Sequence, residues 1–235
     1  YYAMKSKELT NDTTGIRKHI EYIINQPDND YTDNTLLLIA RIDYDNESYS
    51  NSAKYYERLL SITENQHIAI EAIEGCMKSY YFDKQYDKAI EKANRLIAAQ
   101  DISTNQKKQA NYISGKSHFD KKDFYEALKY LTVCSDIDDG EIGAECSYLS
   151  VICLYNLKQY NEAEEKVFLV SDKFGDYIEW TARSFIVLSD VYVAKENTFQ
   201  AKETLKSVIE NYPEDDTNQE EIVSIAQEKL NAINN

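Results

Sequence analysis

One short apolar signature returns five times along the chain and sets most of what it can fold into: Tyr49-x-x-Ser52, Tyr86-x-x-Ala89, Phe124-x-x-Ala127, Tyr160-x-x-Ala163 and Phe199-x-Ala201. The small residue recurs at spacings of 37, 38, 36 and 38. A period of that length describes a helical hairpin too thin to bury its own apolar face, so successive hairpins must supply each other's core. Within one such unit Ile73, Cys76, Met77 and Tyr80 keep an i, i+3, i+4, i+7 rhythm. The phase resets at 82–84, and Ala89, Ile90, Ala93, Leu96 and Ile97 form a second one-sided stripe. Ala89 has to be small, because antiparallel helices about 9 Å apart leave no room for a branched side chain at their closest approach.

The pattern predicts an all-α fold, an α–α superhelix of about five full hairpins at 34–64, 70–101, 108–138, 144–174 and 182–212. A partial hairpin at 1–27 precedes them and a capping helix at 218–233 follows, all in a single domain, 1–235. Only six Gly and two Pro in 235 residues fit long helices with few irregular connections, and the scattered β-branched residues argue against strands. Pro213, and Pro27 in the matching place, stop helices where a missing N–H breaks no bond. In the last helix Ile222, Ile225, Ala226 and Leu230 line one side and charged residues the others, as a water-facing array end requires. Residues 1–27 begin mid-helix, with Tyr1, Tyr2, Met4 and Leu9 forming an apolar end, so further repeats upstream and a contact with them are expected.

These residues resemble the tetratricopeptide-repeat family. Its pattern has a small residue in mid-helix A, Tyr in the last turn, an aromatic opening helix B, Ala one turn later and a closing Pro; Tyr80, Tyr192, Tyr86, Phe124 and Tyr160 match it. The resemblance implies a right-handed solenoid. The period exceeds the usual ~34 residues, which implies longer loops between repeats, such as 28–32 and 136–143. The segment 180–212 is similar to the closing repeats of long bacterial envelope-associated tetratricopeptide proteins, of which this chain would be a C-terminal fragment. That similarity leans towards the bacterial periplasm or envelope, with the cytoplasm as the alternative.

Several functions are disfavoured by the composition. A formal net charge of -15 opposes a nonspecific grip on a phosphate backbone, so nucleic acid is not an expected partner. The longest apolar runs, 36–40 and 185–188, are far shorter than the ~20 residues that span a bilayer, and no membrane-spanning helix is expected. Cys76, Cys134, Cys146 and Cys153 show no metal-ligand spacing and sit on apolar stripes, where a thiol acts as a small hydrophobe. His19, His67 and His118 lie in separate repeats without a partner at i+4. Asp136-x-Asp138-x-Gly140 has its glycine one position early for a calcium loop, and Ser147 stands where a bidentate Glu is needed. With no phosphate-binding or nucleophile motif either, the chain is expected to be no enzyme and to hold neither cofactor nor metal.

In a superhelix of this family the first helix of each pair lines the concave face. Aligning the repeats puts Arg41, Lys78 and Lys116 in one column and Tyr44, Tyr81, Phe119 and Tyr155 one turn further on, with Tyr112 and Tyr148 one turn earlier. Three cations would span roughly 20 Å, the reach of ~6 extended residues. The expected function is therefore a non-enzymatic scaffold whose concave face binds an extended peptide or a partner helix, its aromatics stacking and its cations pairing with carboxylates. The alternative is a spacer within a longer array, with no dedicated peptide groove. The family's clamp for carboxylate-terminated chaperone tails is disfavoured, since Glu74, Tyr112 and Tyr148 occupy its Lys slot.

Overall fold

The computed structural model describes residues 13–234 and the side chains of 15–234, so the apolar end at Tyr1, Tyr2, Met4 and Leu9 lies outside the described residues. Among the described residues there are twelve α-helices and no strand. They fall into two compact units that divide after Ser117. In the first, α1 (Thr13–Ile24) is followed by the pairs α2 (Thr32–Asp45) with α3 (Tyr49–Ile62) and α4 (Gln66–Phe82) with α5 (Tyr86–Ile97). The division falls inside α6 (Thr104–Asp120). The second holds α7 (Phe124–Ile137), the pairs α8 (Glu141–Asn156) with α9 (Tyr160–Phe174) and α10 (Ile178–Ala194) with α11 (Thr198–Asn211), and α12 (Gln219–Asn234). No helix among the described residues is long and apolar enough to cross a membrane.

Consecutive helices pack on one another from α1 to α5 and from α7 to α12, and the first helices of neighbouring pairs also touch: α2 with α4, α8 with α10, and α10 with α12. This two-layer stacking follows from the small-residue slots. Ala89, Ala127, Ala163 and Ala201 are all fully buried. In the earliest hairpin Ser52 fills the slot; its hydroxyl donates to the Ala40 carbonyl at 2.8 Å and meets the Ser79 hydroxyl at 2.9 Å, so a polar atom fits there only because it is satisfied. Around these slots the first unit builds its core from Ile20, Leu36, Leu59, Met77 and Leu96, and the second from Leu188, Val167, Phe174, Leu205 and Ile222. All four cysteines are buried thiols. Burial pushes the Cys153 thiol up to about 12, far from the thiolate that reactivity requires.

Every hairpin turns in the same way. Glu47, Lys84, Lys122, Lys158 and Glu196 have φ between 58° and 62°, at spacings of 37, 38, 36 and 38, the period of the apolar signature itself. Each closes a two-bond helix stop: the Lys84 N–H donates to the Tyr81 carbonyl and the Gln85 N–H to the Tyr80 carbonyl, and the other turns repeat the pair. A lysine or glutamate thus occupies the left-handed position that usually calls for glycine.

The connection expected at 28–32 is present, within residues 25–31 between α1 and α2, but elsewhere the longer period goes largely into helices. Helices α4, α6 and α10 each run 17 residues. Only residues 138–140 separate α7 from α8, so the long connection expected at 136–143 is the end of one helix and the start of the next. The side chain of Asp138 accepts the Gly143 N–H at 2.8 Å, a helix-capping bond. A Cβ at Gly143 would run into the Asp138 backbone carbonyl, which is why that residue is glycine.

A tyrosine, a glutamate and a lysine tie hairpins together in both units. In the first, Tyr80 Oη donates to Glu57 Oε1 at 3.0 Å, and Lys92 Nζ, from α5, lies 2.9 Å from the same oxygen. In the second, Tyr192 Oη donates to Glu164 Oε1 at 3.0 Å, and Lys195 Nζ, from the turn after α10, donates to Oε2 at 2.6 Å.

Candidate functional site

The aromatic column predicted on the first helices serves its own hairpins first. Each member sits in the last turn of its helix and packs on the aromatic that opens the next. Tyr44 meets Tyr49 with ring centroids 5.4 Å apart, Tyr81 meets Tyr86 at 5.9 Å, Phe119 meets Phe124 at 5.8 Å and Tyr155 meets Tyr160 at 6.0 Å. Their exposure is intermediate, leaving part of each ring to solvent. In the first unit Phe82, close to half exposed, joins Tyr44, Tyr49 and Tyr81 into a continuous ring cluster.

The predicted cations are held locally. Arg41 is paired with Glu71 across the α2–α4 contact. Lys78 Nζ donates to Glu74 Oε1 at 2.7 Å, one turn away on α4. Lys116 Nζ donates to Tyr112 Oη at 3.1 Å and lies 5.0 Å from that ring's centroid. In the second unit Tyr148 tilts against Trp180 at 5.7 Å, beside Arg183, which bridges Glu179 and Glu221 at 2.8 Å each. Burial raises the Tyr148 phenol while Arg183 draws it down, so the ring stays a neutral hydrogen-bonding group at neutral pH.

Between α2, α3, α4 and the loop entering α6, the first unit encloses a polar pocket of about 510 Å³. His67, Glu71, Glu74 and Lys78 contribute one stripe of α4, at helical spacings of four, three and four. Tyr56 reaches it from α3, 5% exposed, its ring lying over Gly75, where any Cβ would collide with the ring. Its hydroxyl has no hydrogen-bond partner among the described residues, and burial raises its pKa far above the usual phenol range. Asp101, also with positive φ, closes the rim. The stripe on α4 was readable as spacing; the partner from α3 was not, because only the packing angle brings Tyr56 over Gly75.

The second unit has a different cavity, about 450 Å³ between α10 and α11, with apolar walls from Ile178, Ala182, Phe185, Val208 and Tyr212. No group of three or more His, Cys, Asp or Glu among the described residues is placed to hold a metal ion.

Two family models match the sequence. Residues 83–168 match the anaphase-promoting complex, cyclosome, subunit 3 family, and residues 188–215 match a tetratricopeptide repeat. Among solved structures, the chain is similar to YrrB, described as a TPR protein with an unusual peptide-binding site, with a TM-score of 0.63 and 19% identity over 91% of this chain and 96% of that one. The fold is that of the tetratricopeptide-repeat proteins. The apo form of RapI gives a TM-score of 0.70 with 16% identity, covering 94% of this chain and 69% of that one. A tetratricopeptide repeat protein from Parabacteroides merdae gives 0.57 with 12% identity, covering 96% of each chain. The model matches and these neighbours together support the tetratricopeptide-repeat family for the hairpins described above, a fold that suggests a protein-interaction scaffold. No curated protein matches the sequence.

Proposed function

We propose that this tetratricopeptide array is a non-enzymatic scaffold that binds an extended peptide or a partner helix on the face of its first helices. In the first unit the surface is Arg41, Tyr44, Lys78, Tyr81, Tyr112 and Lys116; in the second it is Phe119, Tyr148 and Tyr155, to which Trp180 is added. The observation that carries the reading is the partial exposure of these aromatics. Tyr44, Tyr81, Phe119 and Tyr155 are braced by their own hairpins and Tyr148 by Trp180 of the next one, with part of each ring exposed, so they offer contact area at little further cost in side-chain entropy. YrrB, with its peptide-binding site, is a neighbour in fold and supports the reading by analogy.

Selection of a displayed library of random peptides on the intact chain tests it. Peptides that are enriched should lose about thirtyfold in affinity on Tyr81→Ala with Tyr112→Ala, or on Tyr148→Ala, with helical circular dichroism unchanged. Enriched peptides that bind both variants as tightly as the parent chain would refute the surface and favour the spacer reading.

A further inference from the structure

The pocket of the first unit contains more hydrogen-bonding capacity than the fold uses. Glu71 gives only Oε1 to Arg41, and Glu74 gives only Oε1 to Lys78, leaving the second oxygen of each without a bond among the described residues. Asp101, on the rim, makes no ion pair there. Tyr56, 95% buried as a residue, brings to the pocket a hydroxyl that makes no hydrogen bond among the described residues and is not sealed from solvent, so it is free to bond a ligand there. The half-buried Tyr44 ring forms a neighbouring wall.

The charges of the lining decide the sign of what fits. Three carboxylates face Lys78 and the adjoining Arg41, and both cations are already neutralised by Glu74 and Glu71. An incoming carboxylate would have to break one of these pairs and would meet Asp101 uncompensated. An incoming cation needs to break nothing: the second oxygens of Glu71 and Glu74, the Asp101 carboxylate and a phenol oxygen are open to it, and an aromatic face lies alongside.

We propose that this pocket takes the basic side chain, arginine or lysine, of a bound peptide. The proposal rests on the peptide-binding reading above and reverses the polarity expected from the cation column alone. A volume of about 510 Å³ accommodates a long side chain entering from the open rim. The guanidinium or ammonium group bonds the free oxygens of Glu71 and Glu74 and the oxygen of Tyr56, with Asp101 closing over it. The acidic balance of the whole chain, formally -15, attracts a basic segment from a distance.

The test uses amide-resolved NMR of the intact chain with three short Gly/Ser peptides that differ in one central residue, Arg, Lys or Glu. The Arg and Lys peptides should shift the amides of Glu71, Gly75 and Lys78 saturably, and the Glu peptide should leave them in place. Tyr56→Phe, which removes only an unpartnered hydroxyl, should weaken the Arg peptide about tenfold, and Glu71→Gln with Asp101→Asn by at least as much. Equal shifts from the Glu peptide, or no loss on Tyr56→Phe, would overturn the proposal. If the Arg peptide leaves these amides unmoved while library-selected peptides still depend on Tyr81 and Tyr112, the pocket assignment fails and the scaffold reading stands. If selected peptides do not depend on those residues either, both fall.

Discussion

The two units link their hairpins with the same three residue types but place the lysine in different surroundings. Lys92 enters from a helix and its side chain is 8% exposed, whereas Lys195 comes from a turn and is 33% exposed. The same division marks their cavities: charged and tyrosine-floored in the first unit, apolar in the second. A repeat fold constrains the small slots and the turns and leaves the remaining positions open. Two stretches with one backbone plan can therefore offer different chemistry, and substitutions that act alike in both units probe the fold while those that act differently probe what each unit has added.

The largest effect, equal in the two units, belongs to the slots. Ala89→Leu in the first and Ala163→Leu in the second should each cost about 3 kcal/mol, because a branched side chain would have to enter fully occupied space between two helices. Urea unfolding by circular dichroism reads both, and Trp180, the single tryptophan, reports on the second unit by fluorescence. A unit that absorbed its leucine without loss would not be stacked as described. Next in size, Gly143→Ala should cost about 2 kcal/mol and Gly75→Ala somewhat less, since the first collides with backbone and the second with a ring that can shift. Gly75→Ala should also narrow the polar pocket.

The linking lysines should separate the units. Lys92→Ala removes a buried stem and leaves Glu57 without its cation, at about 2 kcal/mol, while Lys195→Ala should cost under about 1 kcal/mol because that pair meets solvent. Their pH dependences differ in sign. Glu164 is held below the usual glutamate range chiefly by the hydrogen bond from Lys195. Its contribution is complete above the ordinary value of 4.5 and is lost as pH falls through the lowered value. Burial alone would lower Lys92, but its bond to Glu57 raises it above the ordinary 10.5, so that contribution is complete below 10.5 and lost as pH rises further. The stability gap between the parent chain and Lys195→Ala should therefore shrink in acid, and the gap for Lys92→Ala at alkaline pH. Gaps that stay constant with pH would show that packing, not charge, holds these sites.

Much of the fold was legible because it is written in volume. Ser52, Ala89, Ala127, Ala163 and Ala201 announce the hairpins by being small, and Tyr49, Tyr86, Phe124 and Tyr160 each begin a helix where the repeat places them. The candidate site was less legible. Aligning columns finds Arg41 and Lys78, and spacing along α4 sets Glu74 beside Lys78, but neither shows that Glu71 is turned towards Arg41, since that depends on the phase of α4 against α2. Tyr56 gave no signal beyond that of a core aromatic. The connection at 136–143 was misjudged for a simple reason: extra residues in a repeat can lengthen helices as easily as loops, and apolar spacing alone does not locate where a helix stops.

The smallest effect concerns those stops, where no glycine marked the turn. Lys84 in the first unit and Lys158 in the second are exposed and held at φ of 58° and 60°. A side chain with a Cβ costs about 1 kcal/mol in that conformation. Glycine removes the strain but loses more freedom on folding, so Lys84→Gly and Lys158→Gly should each stabilise by about 0.5 kcal/mol, seen as a small rise in the urea midpoint at unchanged slope. Because the turn geometry is the same in both units, the two gains should match. A gain in one unit alone would mean that its turn tightens under load from its neighbours. A loss in either would mean that the lysine stem, lying along the helix end, contributes more than its backbone strain takes away.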